Sequence, residues 1–316
     1  MTSQLVSKIC VIGGTGVQGM SIVKALVHDK KYTARLLTRD TSSRRAAELL
    51  ALGNVELLQG TFASEEALRD GYRGCDGAFA NIDGFDGGER GEMYWAIRAH
   101  ELAIEEGIKS FVYGSLPYVL KLGGYDSRFY SGHMNEVGAA LFTVAPYMDM
   151  TIGSHTPMAP TIEDDTLTWR VPLGNSSMPL GSLEDCGYYV RLQFDNPERA
   201  NGLDLRTAAQ GITYSDLAIA FERPTGYRAR YIDVDPSAMS SQRNFTALWN
   251  SFRHGLFGID YALLDQIQPN RVKRAEDWSR QQDNLLKNSG KGGLWERLQP
   301  GNITLVIKRS EDGGHL

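Results

Sequence analysis

The stretch VIGGTGVQGMSIVKAL, residues 11–26, decides the fold of this 316-residue chain. It places Gly13, Gly14, Gly16 and Gly19 between a short apolar run and a run that favours helix. Such a glycine loop, first in the chain and set between a strand and a helix, is typical of a dinucleotide-binding fold. Gly16 allows the backbone to approach a pyrophosphate, Gly19 allows close helix packing, and the N–H groups that begin the helix attract the anion. The dinucleotide contacts predicted from this loop are Gly13, Gly14, Thr15, Gly16, Val17, Gln18 and Gly19.

Strands and helices alternate through the first 115 residues. The further apolar runs that predict buried parallel strands are TARLLT (33–38), VELLQG (55–60), DGAFAN (76–81) and KSFVYGS (109–115). This alternation predicts right-handed crossovers and a Rossmann-type, doubly wound α/β sheet. We expect a dinucleotide-binding domain over residues 1–150 and a smaller α+β C-terminal substrate region over residues 151–316, interleaved with the first. Four prolines interrupt the regular pattern between residues 151 and 182.

The composition is that of an ordinary soluble protein, with 42% hydrophobic and 22% charged residues and a net charge of −5. Without a basic footprint, nucleic acid is not expected as a partner. No apolar run reaches the roughly 18–20 residues that span a bilayer, so no membrane partner is expected either. Three widely spaced cysteines, Cys10, Cys75 and Cys186, suit a reducing compartment and predict a cytoplasmic protein. The histidines lack the spacing of metal ligands, so we predict no metal site.

The end of the second strand, LLTRD at residues 36–40, predicts which dinucleotide binds. A site that prefers NAD places an acid about 20 residues past the loop to hold the ribose 2′-hydroxyl. Thr38 and Arg39 take that place here, and a guanidinium can bind a 2′-phosphate through two hydrogen bonds. Asp40 comes one residue later and is expected to cap the next helix. The sequence therefore favours NADP(H) as cofactor, with NAD(H) as the weaker ligand.

These segments resemble an NmrA-like protein, from an atypical branch of the short-chain dehydrogenase/reductases. The resemblance rests on VIGGTGVQGMSIVKAL, ARLLTRD, VELLQGTF, FVYGSLP and VPLGNSSMPLGSLEDCGYYVRLQFDNPE, which follow one another between residues 8 and 235. It implies an extended Rossmann fold and affinity for NADP(H). It leaves two functions open, because some members resemble quinone reductases or reductases of plant phenolics and fungal metabolites. Others sense the NADP/NADPH ratio without turnover and act through a protein partner.

The resemblance also directs attention to Tyr130 and Met134, which are four residues apart, the spacing that stacks two side chains on a helix. In the related enzymes a tyrosine at such a place is the acid, and a lysine four residues on lowers its pKa and holds the nicotinamide ribose. Met134 takes the place beside the ribose but carries no charge, so Tyr130 is predicted to be a weak acid. His133 is the alternative proton donor, since an imidazole titrates near neutral pH, or it is an exposed helix histidine.

The carboxyl ends of the fourth and fifth strands supply the remaining candidates. Asn81 and Ile82 end the fourth strand, where such folds lay backbone against the cofactor, and Ser115 ends the fifth. In the wider superfamily a serine at this place bonds the substrate carbonyl, although a serine that ends a strand is also a common cap.

Bulky apolar residues of the second half line a substrate cleft or simply fill the core; these are Phe129, Tyr147, Met148, Met150, Trp169 and Met178. The leading hypothesis is an NADP(H)-dependent oxidoreductase for a small hydrophobic or aromatic carbonyl or enone. The rival is a non-catalytic sensor with a protein partner. Met134 favours the sensor, and an apolar cleft favours the enzyme.

Overall fold

The structure of the protein is a computed structural model that describes residues 7–82, 84–116, 140–154, 156–235, 243–255 and 257–303. Its main feature is a seven-stranded parallel sheet. The strands are β1 (Lys8–Ile12), β2 (Thr33–Thr38), β3 (Val55–Gln59), β4 (Gly77–Ala80), β5 (Ser110–Ser115), β6 (Ala140–Val144) and β10 (Asp204–Thr207). They lie in the order β10-β6-β5-β4-β1-β2-β3, and all neighbours pair in parallel. The predicted doubly wound α/β sheet is confirmed, with its order reversing between β1 and β4.

Helices cover both faces of this sheet. One face carries α1 (Val17–Val27), α2 (Arg44–Leu50) and α5 (Leu183–Asp195), and the other carries α3 (Glu65–Tyr72) and α4 (Gly84–Glu105). Because successive side chains of a strand point to opposite faces, Ile9 and Val11 pack with α1 while Cys10 and Ile12 pack with α3 and α4. All four are buried, as expected for a strand covered on both sides.

Helices α1 and α5 pack at unusually short distance because of Gly187. A Cβ atom at Gly187 would lie 2.3 Å from the carbonyl oxygen of Ser21 and 2.7 Å from the Cβ of Ala25. The Gly187 amide also donates to the Ser21 hydroxyl at 3.1 Å. This close approach explains the glycine of the SLEDCG segment.

Most of the other described elements pack around a second core, whereas Ala200 and Leu264 pack with the core around α1. A three-stranded sheet contains β7 (Thr161–Glu163), β8 (Thr166–Val171) and β12 (Ala229–Asp233), and an antiparallel pair contains β9 (Met178–Leu180) and β11 (Gln210–Ile212). A 3-10 helix spans Met148–Thr151. The remaining helices are α6 (Pro197–Ala200), α7 (Tyr214–Thr225), α8 (Arg243–Arg253), α9 (Tyr261–Ile267), α10 (Ala275–Asn288) and α11 (Leu294–Leu298).

Trp169 lies at the centre of the second core with no exposed surface. Its indole N–H donates to the carbonyl of Thr151 at 2.9 Å, and its ring makes edge contacts with Tyr214 and Phe221. Within the described ranges, no helix has the length and apolar character that a bilayer crossing needs.

Candidate functional site

The β1–α1 loop forms a tight turn at the carboxyl edge of the sheet. Gly13 has a φ of +80°, in the left-handed region that favours glycine, and its carbonyl accepts the Gly16 N–H at 3.0 Å. Gly16 is extended, with φ −71° and ψ 165°, and it begins α1 without a side-chain cap on the first turn. The first N–H groups of a helix have no partner within the helix, so this end of α1 can bind an anion.

The glycines of the loop are required for different reasons. A Cβ at Gly19 would lie 2.1 Å from the carbonyl oxygen of Gly13 and 2.6 Å from the Cα of Gly14, so Gly19 allows backbone to pack on backbone. A Cβ at Gly13 would lie 2.9 Å from the carbonyl oxygen of Asn81. At Gly16 the one atom of the described residues that comes near is the Gly13 oxygen, at 3.1 Å. The space above Gly16 is thus kept open by the lack of a side chain, which is what a pyrophosphate would need.

The end of β2 holds the residues predicted to choose between NADP(H) and NAD(H). Arg39 is exposed there, directly after the buried Thr38. The carboxylate of Asp40 accepts the backbone N–H of Ser42 at 2.8 Å and its hydroxyl at 2.6 Å. These bonds, led by the side chain of Ser42, hold the pKa of Asp40 below its ordinary value. The residue that caps α2 is Ser43, which accepts the Ala46 N–H, so the capping role expected for Asp40 is corrected.

Arg45 joins this region to the glycine loop. It lies in the first turn of α2, is half-buried, and donates to the carbonyl of Thr15 at 2.9 Å. The bond ties α2 to the loop between Gly14 and Gly16. The sequence analysis did not predict this contact. Its only indication in the sequence is an arginine two residues after the residue that caps α2.

The ends of β4 and β5 lie close to the residues of the loop and of the first turn of α1. The Asn81 N–H donates to the carbonyl of Ile12 at 3.2 Å, and Ile82 is buried beside it. Ser115 is buried and its hydroxyl donates to the carbonyl of Leu116 at 3.0 Å. That local bond agrees with a capping role, and contact with a substrate carbonyl stays a prediction. Gly114 is close to Gln18, whose Oε1 would lie 2.9 Å from a Cβ there.

Gln18 makes a contact that sequence reasoning did not predict. Its side chain is buried in the first turn of α1, and Nε2 donates to the hydroxyl of Tyr147 at 2.9 Å. The two residues are 129 positions apart, so no local pattern indicates the pair. Burial raises the pKa of the Tyr147 phenol well above its ordinary value, so the hydroxyl that contacts Gln18 is neutral near neutral pH.

Some predicted site residues fall elsewhere. Tyr130, His133 and Met134, with Phe129, lie outside the described residues. Four of the apolar residues predicted to line a cleft or fill the core belong to the core. The structure buries Met148, Met150, Trp169 and Met178 in the second core. In the part of the chain that the structure describes, no three His, Cys, Asp or Glu side chains group as a metal site.

Comparison with known proteins gives one consistent match. A family profile described as "NmrA-like family" matches residues 6–253. The oxidoreductase FrzB of Cladobotryum sp, described as containing an NmrA-like family domain, is 28% identical over 266 residues, which covers 72% of this chain and 76% of FrzB.

Two solved structures share the fold. NmrA, described as a negative transcriptional regulator and solved with NAD, superposes with a TM-score of 0.74 at 18% identity and covers 92% of this chain and 99% of its own. The NADPH-dependent quinone oxidoreductase QOR2 of Escherichia coli, solved with NADPH, gives 0.67 at 15% identity and covers 85% and 98%.

Proposed function

Because the chain belongs to the NmrA-like family, we propose that it binds NADP(H), and NAD(H) more weakly, and transfers hydride to a small hydrophobic carbonyl or enone. The observation that carries the proposal is the glycine loop, where Gly16 leaves space above the uncapped start of α1. FrzB and QOR2, by their names, are an oxidoreductase and an NADPH-dependent quinone oxidoreductase, which supports the same chemistry here.

In this proposal the dinucleotide lies across the carboxyl edge of the sheet. The N–H groups at the start of α1 bind the pyrophosphate, and Arg39 binds the 2′-phosphate by charge-assisted hydrogen bonds. Arg45 holds the loop in place through the carbonyl of Thr15. Asn81 and Ile82, at the end of β4, support the cofactor with their backbone. Arg39 is the reason that we propose a preference for NADP(H).

The bound cofactor supplies the hydride, so the chain mainly has to orient the substrate and exclude water. In this proposal Ser115, at the end of β5, donates to the substrate carbonyl. We propose Tyr130 as a weak acid, with Met134 beside the ribose, and His133 as the other proton donor. Residues 1–150 then form the dinucleotide-binding domain, and residues 151–316 form a smaller, interleaved substrate region. Free, buried cysteines at 10, 75 and 186 support a cytoplasmic location.

A non-catalytic NADP(H) sensor is the second candidate. Met134 favours it, because the charge that would assist Tyr130 is missing. The burial of Met148, Trp169 and Met178 in the core also removes them from a substrate cleft. NmrA is described as a negative transcriptional regulator, which supports a protein partner as the target of such a sensor.

Titration and turnover separate these candidates. We expect calorimetric titration to show tighter binding of NADPH than NADH. We also expect NADPH oxidation with a panel of quinones and enones, and Tyr130→Phe should slow it less than tenfold because an unassisted phenol is a poor acid. If His133→Ala instead causes a large loss of NADPH oxidation, His133 and not Tyr130 is the proton donor. Tight NADPH binding without oxidation by any member of the panel would favour the sensor, and no binding of either dinucleotide would refute both.

A further inference from the structure

Gln18 and Tyr147 form a partly buried contact between the glycine loop and a distant segment of the chain. Gln18 is 4% exposed, and its Nε2 donates to the Tyr147 hydroxyl at 2.9 Å. Its Oε1 is also buried and has no hydrogen-bond partner among the residues that the structure describes. The bond to Tyr147 therefore pairs the amide nitrogen of this side chain, which would otherwise be buried at a cost in free energy, while Oε1 still bears that cost.

Tyr147 lies where the chain leaves the large sheet and enters the second core. It follows β6 by three residues, and the backbone on either side of it is hydrogen-bonded to Gly181, which directly follows β9. The Met148 amide donates to the carbonyl of Gly181 at 2.9 Å, and the Gly181 amide donates to the carbonyl of Pro146 at 2.8 Å. The ring of Tyr147 packs against the core around α1 and also against the core around Trp169.

The position of Gln18 gives this contact its functional meaning. Gln18 is the second residue of α1, so its backbone belongs to the turn whose N–H groups would face the pyrophosphate. A shift of the Gln18 side chain moves that turn directly. Burial holds the phenol of Tyr147 neutral, so its hydroxyl stays available as the partner of the Gln18 amide.

We propose that Tyr147 is a positioning residue. Through Gln18 it holds the first turn of α1 in the conformation that binds the dinucleotide, and it thereby couples the loop to the segment from Pro146 to Ile152. The inference rests on the proposed binding of NADP(H) at this loop. Because coupling between two sites is reciprocal, dinucleotide binding must in turn stabilise the Tyr147 segment.

The first test is Tyr147→Phe, which removes the hydroxyl and keeps the ring. The variant should bind both NADPH and NADH about tenfold more weakly, the factor that corresponds to about 1.4 kcal/mol, because the pyrophosphate site is common to both. The ratio of the two affinities should stay that of the wild type. Tyr214→Phe is the matched control, since the Tyr214 hydroxyl is buried without a partner among the described residues and lies in the second core. It should bind both cofactors as the wild type does.

A second variant distinguishes the contact from a general loss of packing. Gln18→Met removes the polar partner on α1, and the double variant Gln18→Met/Tyr147→Phe replaces the polar pair with an apolar one. The double variant should bind NADPH more tightly than the sum of the two single losses predicts, because neither partner is then left unpaired. Additive losses would contradict coupling through this bond.

Hydrogen exchange tests the reciprocal effect. NADPH should slow exchange at the Met148 and Gly181 amides in the wild-type protein, and saturating NADPH should slow it clearly less in Tyr147→Phe. Equal protection in both proteins, or affinity of Tyr147→Phe within twofold of wild type, would overturn the inference and leave the proposed function intact. A wild-type protein that binds neither dinucleotide would overturn both.

Discussion

The glycine loop and the second core are built on opposite principles. In the loop, backbone packs on backbone. A Cβ at Gly19, for example, would lie only 2.1 Å from the carbonyl oxygen of Gly13. In the second core, large rings fill the space, with Trp169 in edge contact with Tyr214 and Phe221. Glycines at a fixed spacing indicate a close approach of backbone to backbone, which few structures other than a nucleotide-binding loop require. Bulky apolar residues carry no such information, because the same residues suit a core and a cleft.

The largest effect expected from this comparison is on stability. Trp169→Ala should destabilise the protein by about 3–5 kcal/mol, since it removes a fully buried ring and a hydrogen bond to Thr151. Urea unfolding measures the loss. Trp295→Ala is the control, because that ring is only partly buried where it stacks on Tyr227, and it should cost clearly less. The folded Trp169→Ala protein should still bind NADPH, with a loss no larger than the roughly tenfold one expected for Tyr147→Phe, because its indole reaches the loop only through the segment from Pro146 to Ile152. A larger loss would show that the second core does form part of the cofactor site.

The next effect is on binding at the loop. Gly16→Val should reduce the affinity for either dinucleotide by at least about 100-fold, because a branched side chain would stand where the pyrophosphate approaches. The fold should survive, since φ is −71° and the nearest atom to a new Cβ is the Gly13 oxygen at 3.1 Å. Gly19→Ala should behave differently and unfold at lower temperature, as its Cβ would overlap the backbone. Near-normal affinity in folded Gly16→Val would mean that the loop is purely structural.

The sequence predicts well what depends on neighbours in the chain. The first strand, the glycine loop as a strand-to-helix turn and α1 are confirmed. The contacts it misses join distant residues, such as Arg45 with Thr15 and Gln18 with Tyr147. Such pairs depend on how helices and strands are arranged in three dimensions.

The same limit applies to side chains assigned a role by residue type alone. Tyr147 and Trp169 were candidates for a cleft because they are large and apolar. The structure instead places the Tyr147 hydroxyl against Gln18 and buries Trp169 completely. The sequence predicts that Asp40 caps α2, yet Ser43 does so. The carboxylate of Asp40 instead accepts hydrogen bonds from the N–H and hydroxyl of Ser42.

Arg39→Ala tests whether a side chain, rather than the loop backbone, selects the cofactor. It should weaken NADPH binding by about 1.5–3 kcal/mol, the range for hydrogen bonds to charged groups, and leave NADH nearly unchanged. Arg44→Ala is the matched control, because Arg44 is an exposed arginine that pairs with Glu48 on α2. Titration of each variant with both cofactors gives the answer. Equal losses for NADPH and NADH in Arg39→Ala would refute the assignment.

The smallest effect concerns Asp149, at the border between the two regions. It follows Tyr147 by two residues, and burial raises the pKa of its carboxyl to about 6, although its own N–H and the charge of Arg297 oppose the shift. The unfolded chain has a carboxyl pKa near about 3.9, so between about pH 4 and 6 the folded state holds more protons. Stability from this group is therefore lost as the pH rises through that window.

Asp149→Asn removes the ionisation and should stabilise the protein at pH 7 by about 1–2 kcal/mol, or a few degrees in Tm. At pH 4 the carboxyl is largely protonated in the folded state, so the advantage of the variant should nearly vanish. Asp185, whose pKa burial also raises to about 6, keeps part of the pH dependence in the variant. Thermal unfolding of both proteins at the two pH values measures the difference. A stabilisation that is the same at pH 4 and pH 7 would show that a change in packing, and not the charge at this border, is the cause.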